Sequence, residues 1–342
     1  MKLVTFLVPA YNAEPYLDKC LASLVRAGES AEIIVVDDGS TDKTPQIADE
    51  WQAKYPTLIR AVHQENGGHG EGINVGIKLA TGVYFKVVDA DDWLDEQALM
   101  LYIGNIKKMI DENNVADVIF TRFIFDQISQ NTQHEEGYDN VFKIRNEVHT
   151  WDKIKLWRTT QILMIHAISF RTEVLQKANF KLPKHRFYED NVFVYLSIFH
   201  CKTVVYYPIP LYHYYVGREG QSVNLDIMAA RYQQQIDNME QIGLAYTWEQ
   251  IKALPRKHKK TMIHLLILFA ALTLADVSFK NTKETFKHYK TYIKSFKENN
   301  PALYRKLYHR TIFVLVTIQP KPLKILFARI GYKIVYKLTK WG

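Results

Sequence analysis

Apolar residues in the first third of the chain fall into short runs separated by stretches of helical spacing. Leu3–Val8 and Ile33–Val36 are continuous and β-like, the pattern of strands buried on both faces. Between them, Pro15–Arg26 sets Leu17, Leu21, Leu24 and Val25 on one helical face. Pro15 opens that helix, where a missing N–H costs nothing. Lys43–Lys54 predicts a second helix and Ile59–Val62 a third strand. Ile73–Ala80 predicts a helix after a glycine-rich loop, and Val83–Val88 a fourth strand. Strands and helices alternating over short connections predict an α/β fold, a mostly parallel sheet flanked by helices.

From Leu94 to about Tyr215 the pattern loosens. Leu99–Ile110 reads as a helix, Asp117–Phe125 as a strand and the polar stretch Gln127–Asn146 as a long loop. Phe187–His200 is an aromatic-rich helix with acids at its start, and Val204–Tyr207 and Leu211–Val216 read as two strands. From Leu225 onward the pattern is helical. The expected organisation is an α/β domain over residues 1–225 and a helical, basic region over 226–342.

Composition sharpens that division. The chain has 342 residues, 47% hydrophobic and 23% charged, with a net charge of +8. Residues 255–342 hold nineteen Lys/Arg against three Asp/Glu, so an acidic body precedes a basic C-terminal region suited to an anionic partner. Two cysteines, Cys20 and Cys201, exclude a disulfide scaffold and fit a reducing compartment. The N-terminal apolar run is too short for a signal peptide, and Met262–Ala275 is shorter than a bilayer span. A cytoplasmic protein follows, soluble or peripheral at the inner face of the membrane.

The chemistry gathers where strands end. Residues 83–93, Val-Tyr-Phe-Lys-Val-Val-Asp-Ala-Asp-Asp-Trp, run from a strand into three carboxylates. Asp89 and Asp91, two apart, point the same way on an extended chain and suit one divalent cation shared with a phosphate. Val8-Pro9-Ala10-Tyr11-Asn12, Val36-Asp37-Asp38-Gly39-Ser40 and Asn66-Gly67-Gly68-His69-Gly70 follow the other three strands. Ligands of open parallel sheets bind at that end. Pro9 and Tyr11 could flank a base, and Asp38 could accept from a nucleobase N–H. No G-x-G-x-x-G follows the first strand and no P-loop motif occurs, which argues against dinucleotide and P-loop readings.

Together Val8–Asn12, Val35–Asp42 and Asp89–Asp92 resemble the inverting family 2 glycosyltransferases of GT-A fold, over roughly residues 1–225. The resemblance implies a nucleotide-sugar donor, a UDP-sugar by preference, and Mn²⁺ or Mg²⁺. It assigns Pro9, Tyr11, Asp38 and Asn66 to the base, Asp89 to ribose or metal, and Asp91 to the metal as main ligand. Ile73 departs from the family pattern, which often has arginine there. In Tyr188-Glu189-Asp190-Asn191, the pattern makes Asp190 the base that deprotonates the acceptor hydroxyl. Tyr212–Ser222 resembles a segment that folds over the donor, with Arg218 and Ser222 on the diphosphate; His213 is either a further metal ligand or a packed strand residue.

Leu323–Trp341 draws as a helix with Leu323, Phe327, Ile330, Ile334, Leu338 and Trp341 on one face and cations along its flank. It is either a segment on an anionic membrane surface or a packed helix. Nucleic acid is a poorer partner, since no nucleic-acid-binding module is recognisable. The expected activity is metal-dependent, inverting sugar transfer to a cell-surface glycan, teichoic acid or lipid-linked acceptor. A sugar nucleotidyltransferase and a catalytically silent nucleotide-binding module are the rival classes.

Overall fold

The computed structural model describes residues 1–127, 131–217 and 225–308. The chain divides into two compact units. The first, Met1–Lys155 with Leu163–Arg186 and His200–Gly217, holds all the described strands. In chain order it runs β1 (Val4–Ala10), α1 (Leu17–Leu24), β2 (Ala31–Asp37), α2 (Thr44–Lys54), β3 (Ile59–His63), α3 (His69–Leu79) and β4 (Tyr84–Val87). Next come β5 (Trp93–Leu94), α4 (Glu96–Asp111), β6 (Val118–Gln127), β7 (Thr132–Glu136), β8 (His149–Thr150), β9 (Ile168–Arg171) and α5 (Thr172–Ala178). After the helix α6 (Glu189–His200), described with the second unit, β10 (Thr203–Val216) completes the sheet.

The sheet order is β3-β2-β1-β4-β9-β6-β10-β5, with β7 added beside β6 and β8 beside β10. The four strands predicted first pair in parallel, as do β6 and β10; β9 runs antiparallel between the two groups. This is the expected α/β architecture, with more antiparallel pairing than the apolar runs implied. Every residue of β1 and β4 is buried, which is why both read as continuous apolar segments. Thr5 in β1 and Lys86 in β4 are the exceptions in composition: both sit fully buried. Helix α3 packs close to β1 because its crossing residues are glycines. A Cβ at Gly76 would lie 2.6 Å from Leu7 Cδ1, and one at Gly72 3.3 Å from Pro9 Cβ.

Two expectations change. The polar stretch after Gln127 contains β7, an edge strand paired antiparallel to β6. Its side chains are exposed or half-exposed, so no apolar alternation marked it in the sequence. The segments on either side of Pro208 and Pro210 form one strand, β10, with register shifts around Pro210. Prolines there remove ladder donors without ending the strand.

The second unit comprises residues 156–162 and 187–199 and the helices from 225 onward. These are α6 (Glu189–His200), α7 (Leu225–Ala230), α8 (Tyr232–Ala245), α9 (Trp248–Ala253), α10 (Arg256–Lys280), α11 (Lys283–Asn299) and α12 (Pro301–Tyr308). Thr247 and Gln250 cap α9 reciprocally, and Thr282 with Thr285 does the same for α11. The left-handed Asn281 ends α10. Helix α6 is lashed to this unit by Tyr246, whose hydroxyl donates to the Leu196 carbonyl (3.0 Å), and by His258 on the Ile198 carbonyl (2.8 Å). The Met262–Ala275 stretch, expected to be too short for a bilayer, lies inside the 25-residue α10. By length and composition that helix could cross a membrane, but 72% of its most apolar window is buried, as in a core helix.

Candidate active site

The loops after β1, β2 and β3 are stitched into one surface at the C-terminal ends of the strands. Asn12, in the left-handed region at φ 48°, donates its amide to Ser40 Oγ (3.0 Å) and accepts from the Thr41 amide (2.9 Å). Asp37 is buried and accepts from the Ser40 amide and from His63 Nδ1, each at 3.1 Å. Hydrogen bonds to Asp37 and then Asp49 raise the His63 pKa. Asp38, also buried, accepts from the Gly67 and Gly68 amides (2.7 Å each) and from Gln64 Nε2 (2.6 Å). Asn66 Nδ2 donates to the Asp38 carbonyl at 2.9 Å. Gly39, at φ 72°, allows this approach, since a Cβ there would meet the Asn66 amide nitrogen at 2.9 Å.

Asp38 and Asn66 are therefore joined directly, and the Asp38 carboxylate shapes the third loop. Pro9 is buried against α3, whereas Tyr11 is 55% exposed beside the stitched loops. Ile73, where the family pattern often puts arginine, is fully buried.

At the end of β4 the acids divide by environment. Asp92 is buried; its carboxylate accepts from the Tyr212 hydroxyl (2.6 Å) and the Tyr215 amide (2.8 Å). Burial and then the neighbouring Asp89 carboxylate push the Asp92 pKa up. The Asp89 amide donates to the Tyr212 hydroxyl oxygen (3.0 Å), so one tyrosine fixes both ends of the Asp89–Asp92 turn. Asp89 and Asp91 are half-exposed. His69 Nε2 donates to Asp89 Oδ1 at 3.1 Å, the proton lying on nitrogen because a carboxylate only accepts.

His213 stacks on Trp93 with ring centroids 5.0 Å apart, and its Nδ1 donates to Asp126 Oδ2 at 2.7 Å. Lys19 Nζ lies 2.9 Å from the Trp93 ring centroid, and desolvation lowers its pKa. Beneath this surface Lys86 Nζ donates to the His166 carbonyl (2.5 Å), and burial draws the lysine down to about 7. The His166 ring packs on Tyr212 (4.8 Å) and is held neutral, its pKa pushed to about 3 by burial.

Asp190 belongs to the second unit, in the first turn of α6 next to the buried Glu189. Arg218, Ser222 and the Leu323–Trp341 helix lie outside the described residues. Two participants carried no legible role in the sequence. His69 stood in a quoted glycine loop, where nothing but its proximity to an acid would mark it. Tyr212 read only as the start of the Tyr212–Ser222 segment, and the bracing of Asp89 and Asp92 by its buried hydroxyl leaves no periodic signal.

The profile of glycosyl transferase family 2 matches residues 5–177. The chain belongs to that family. It is 30% identical to EpsH of Bacillus subtilis (strain 168) over 241 residues, 68% of this chain and 64% of that protein. It is 26% identical to the poly(ribitol-phosphate) beta-N-acetylglucosaminyltransferase TarS of Staphylococcus aureus (strain MW2), over 66% of this chain and 37% of TarS. The chain thus spans less than two thirds of the length of either relative. In structure it is similar to S. aureus TarS 1–349 in complex with UDP-GlcNAc: TM-score 0.64 at 21% identity, covering 98% of this chain and 89% of that one. A second likeness is to the mannosyltransferase PcManGT of Pyrobaculum calidifontis, in complex with GDP-Man and Mn²⁺, with a TM-score of 0.54 at 18% identity over 96% of this chain and 86% of that one. These likenesses establish the GT-A fold.

Proposed function

We propose that this protein transfers a sugar, with inversion, from a UDP-sugar to a hydroxyl of a cell-surface glycan, teichoic acid or lipid-linked acceptor. The observation that carries the proposal is the set of polar loops at the C-terminal ends of β1, β2, β3 and β4. It combines backbone drawn close by Asp38 with carboxylates at the end of β4. Pro9, Tyr11, Asp38 and Asn66 form the base-binding side. Tyr11 offers an exposed ring for stacking, and Asp38 acts by holding Gly67 and Gly68 where their backbone can meet the nucleoside. Arg218 and Ser222 are proposed for the diphosphate.

The donor set fits Mn²⁺ or Mg²⁺: Asp89 and Asp91 offer hard, half-exposed oxygens two residues apart. Asp91 is the proposed main ligand, as the family resemblance implies, with Asp89, which accepts from His69, beside it. His213 is suited to add Nε2, since Asp126 on its Nδ1 is the kind of partner that orients a metal-binding imidazole. A bound cation would neutralise charge on the leaving diphosphate.

Asp190 is the proposed base. The acceptor oxygen bonds to the anomeric carbon as the carbon–diphosphate bond breaks on the opposite face; the hydroxyl proton passes to the Asp190 carboxylate and UDP leaves. The names of relatives such as TarS support an anionic, phosphate-bearing acceptor. Lysines 283, 287, 290, 294 and 297 lie exposed along α11, opposite its buried Tyr289, Tyr292 and Phe296. Such a stripe also suits the anionic membrane surface on which a lipid-linked acceptor would lie.

The test is turnover of UDP-sugars by the wild type and by Asp190→Asn. The variant is expected to bind UDP normally and to lose about 10²- to 10⁴-fold in kcat. Unaltered turnover would remove Asp190 from the role.

A further inference from the structure

Among the described residues, eight that are not glycine adopt positive φ, and six of them are asparagines, whose short amide side chains tolerate that region. His185 is the seventh. The eighth is Tyr188, at φ 62°, and a bulky aromatic ring has no local means of tolerating that backbone. It persists only where surrounding structure over-determines it, and such residues cluster at working sites.

The surroundings here belong to the second unit. The half-buried Tyr188 ring packs against the cluster formed by Met228 of α7 and Ala275 of α10, which Phe279 also flanks. Arg231 hydrogen-bonds the Tyr188 side chain and lies 3.4 Å from the Phe187 ring centroid. From α8, Gln234 Oε1 accepts the Phe187 amide (2.9 Å) and Asn238 Nδ2 donates to the Phe187 carbonyl (2.7 Å). The chain is thus clamped at two consecutive residues and turned sharply at the second. The next two residues are Glu189 and Asp190, which open α6.

We infer that Tyr188, clamped with Phe187 by Arg231, Gln234 and Asn238, is a positioning residue that fixes the direction in which Asp190 leaves the turn. The inference rests on Asp190 being the base. It gives the helical region a role in the reaction, since α7, α8 and α10 supply the clamp. The strained backbone is retained because the anchored ring, not a glycine, defines the turn.

The experiment compares Tyr188→Gly, Tyr188→Phe and Asp190→Asn in the full chain. UDP affinity is measured by calorimetry, kcat and donor KM by turnover, and the pH profile of kcat alongside them. Glycine accepts the φ but loses the anchor, so kcat is expected to fall about 10- to 100-fold, the scale of a misdirected catalytic group, at unchanged UDP affinity. The acidic limb of the kcat profile, which reports the base, is expected to move. Phenylalanine keeps the ring against Met228 and Ala275 and is expected to restore most of the rate.

A Tyr188→Gly enzyme with kcat within about twofold of wild type would overturn the inference. So would a rate loss that Tyr188→Phe shares in full, or one matched by an equal loss of UDP affinity. If Asp190→Asn keeps its rate, the base assignment fails and takes the inference with it. If Asp190→Asn is inactive while Tyr188→Gly turns over normally, only the positioning role falls.

Discussion

Asp276→Asn is expected to stabilise the protein, and to do so more at high pH than at low. Asp276 is 1% exposed near the C-terminal end of α10, and neither carboxylate oxygen has a hydrogen-bond partner among the described residues. Burial raises its pKa from 3.8 to about 7. As pH rises from 4 to 7 the unfolded chain releases this proton before the folded one does, so stability is lost through that window. At 1.36 kcal/mol per pKa unit the loss reaches about 4 kcal/mol by pH 8 and only about 1.7 kcal/mol at pH 5. Asparagine keeps the shape and removes the titration. Urea denaturation of both proteins at pH 5 and pH 8 reads the difference directly. The variant's gain is expected to be larger by about 2–3 kcal/mol at pH 8. Equal shifts at the two pH values, or a loss of stability at pH 8, would refute the reasoning that Asp276 is buried without a compensating charge.

Gly76→Ala is expected to cost about 1–3 kcal/mol by overpacking, because the new methyl would lie 2.6 Å from Leu7 Cδ1 between α3 and β1. Gly104→Ala, in α4 with nothing within 4 Å of a Cβ, is expected to gain about 0.5–1 kcal/mol by the same urea denaturation. Asp38→Ala is expected to lose about 3 kcal/mol, by stranding the Gly67 and Gly68 amides, and to weaken UDP binding in calorimetry. Changing Lys283, Lys287, Lys290 and Lys294 to Gln is expected to reduce flotation with anionic vesicles, each cation being worth about 1 kcal/mol there.

Much of the first unit is legible because β1, β2 and β4 are almost wholly buried. Leu3–Val8, Ile33–Val36, Ile59–Val62 and Val83–Val88 each mark a strand of the parallel group. Burial of that kind leaves a largely apolar run, while β3, with only Ile59 buried, shows as a short run broken by Arg60; the polar residues that follow mark where each strand stops. Strand β7 was hidden because an exposed edge strand has no apolar face to show. The continuity of β10 was hidden by two prolines that end ladder bonds without ending the strand. At the site, Asp89, Asp91 and Asp38 stood out as acids at strand ends. What they bond to did not: that Asp38 would close on Gly67 and Gly68, or that Tyr212 would brace Asp89 and Asp92, depends on chain crossings that local pattern does not encode. Nor did the pattern of the fourth strand mark Lys86, which is wholly buried and bonded to the His166 carbonyl.

The central claim is that the acids at the end of β4 serve a metal-dependent nucleotide-sugar site. Calorimetric titration of UDP into the wild type and Asp91→Ala, each with Mn²⁺ and with EDTA, tests it most directly. Mn²⁺ is expected to tighten UDP binding to the wild type by about tenfold or more, which is 1.4 kcal/mol or more, and to do nothing for Asp91→Ala. No UDP binding under any condition, or the same metal dependence in both proteins, would contradict the account.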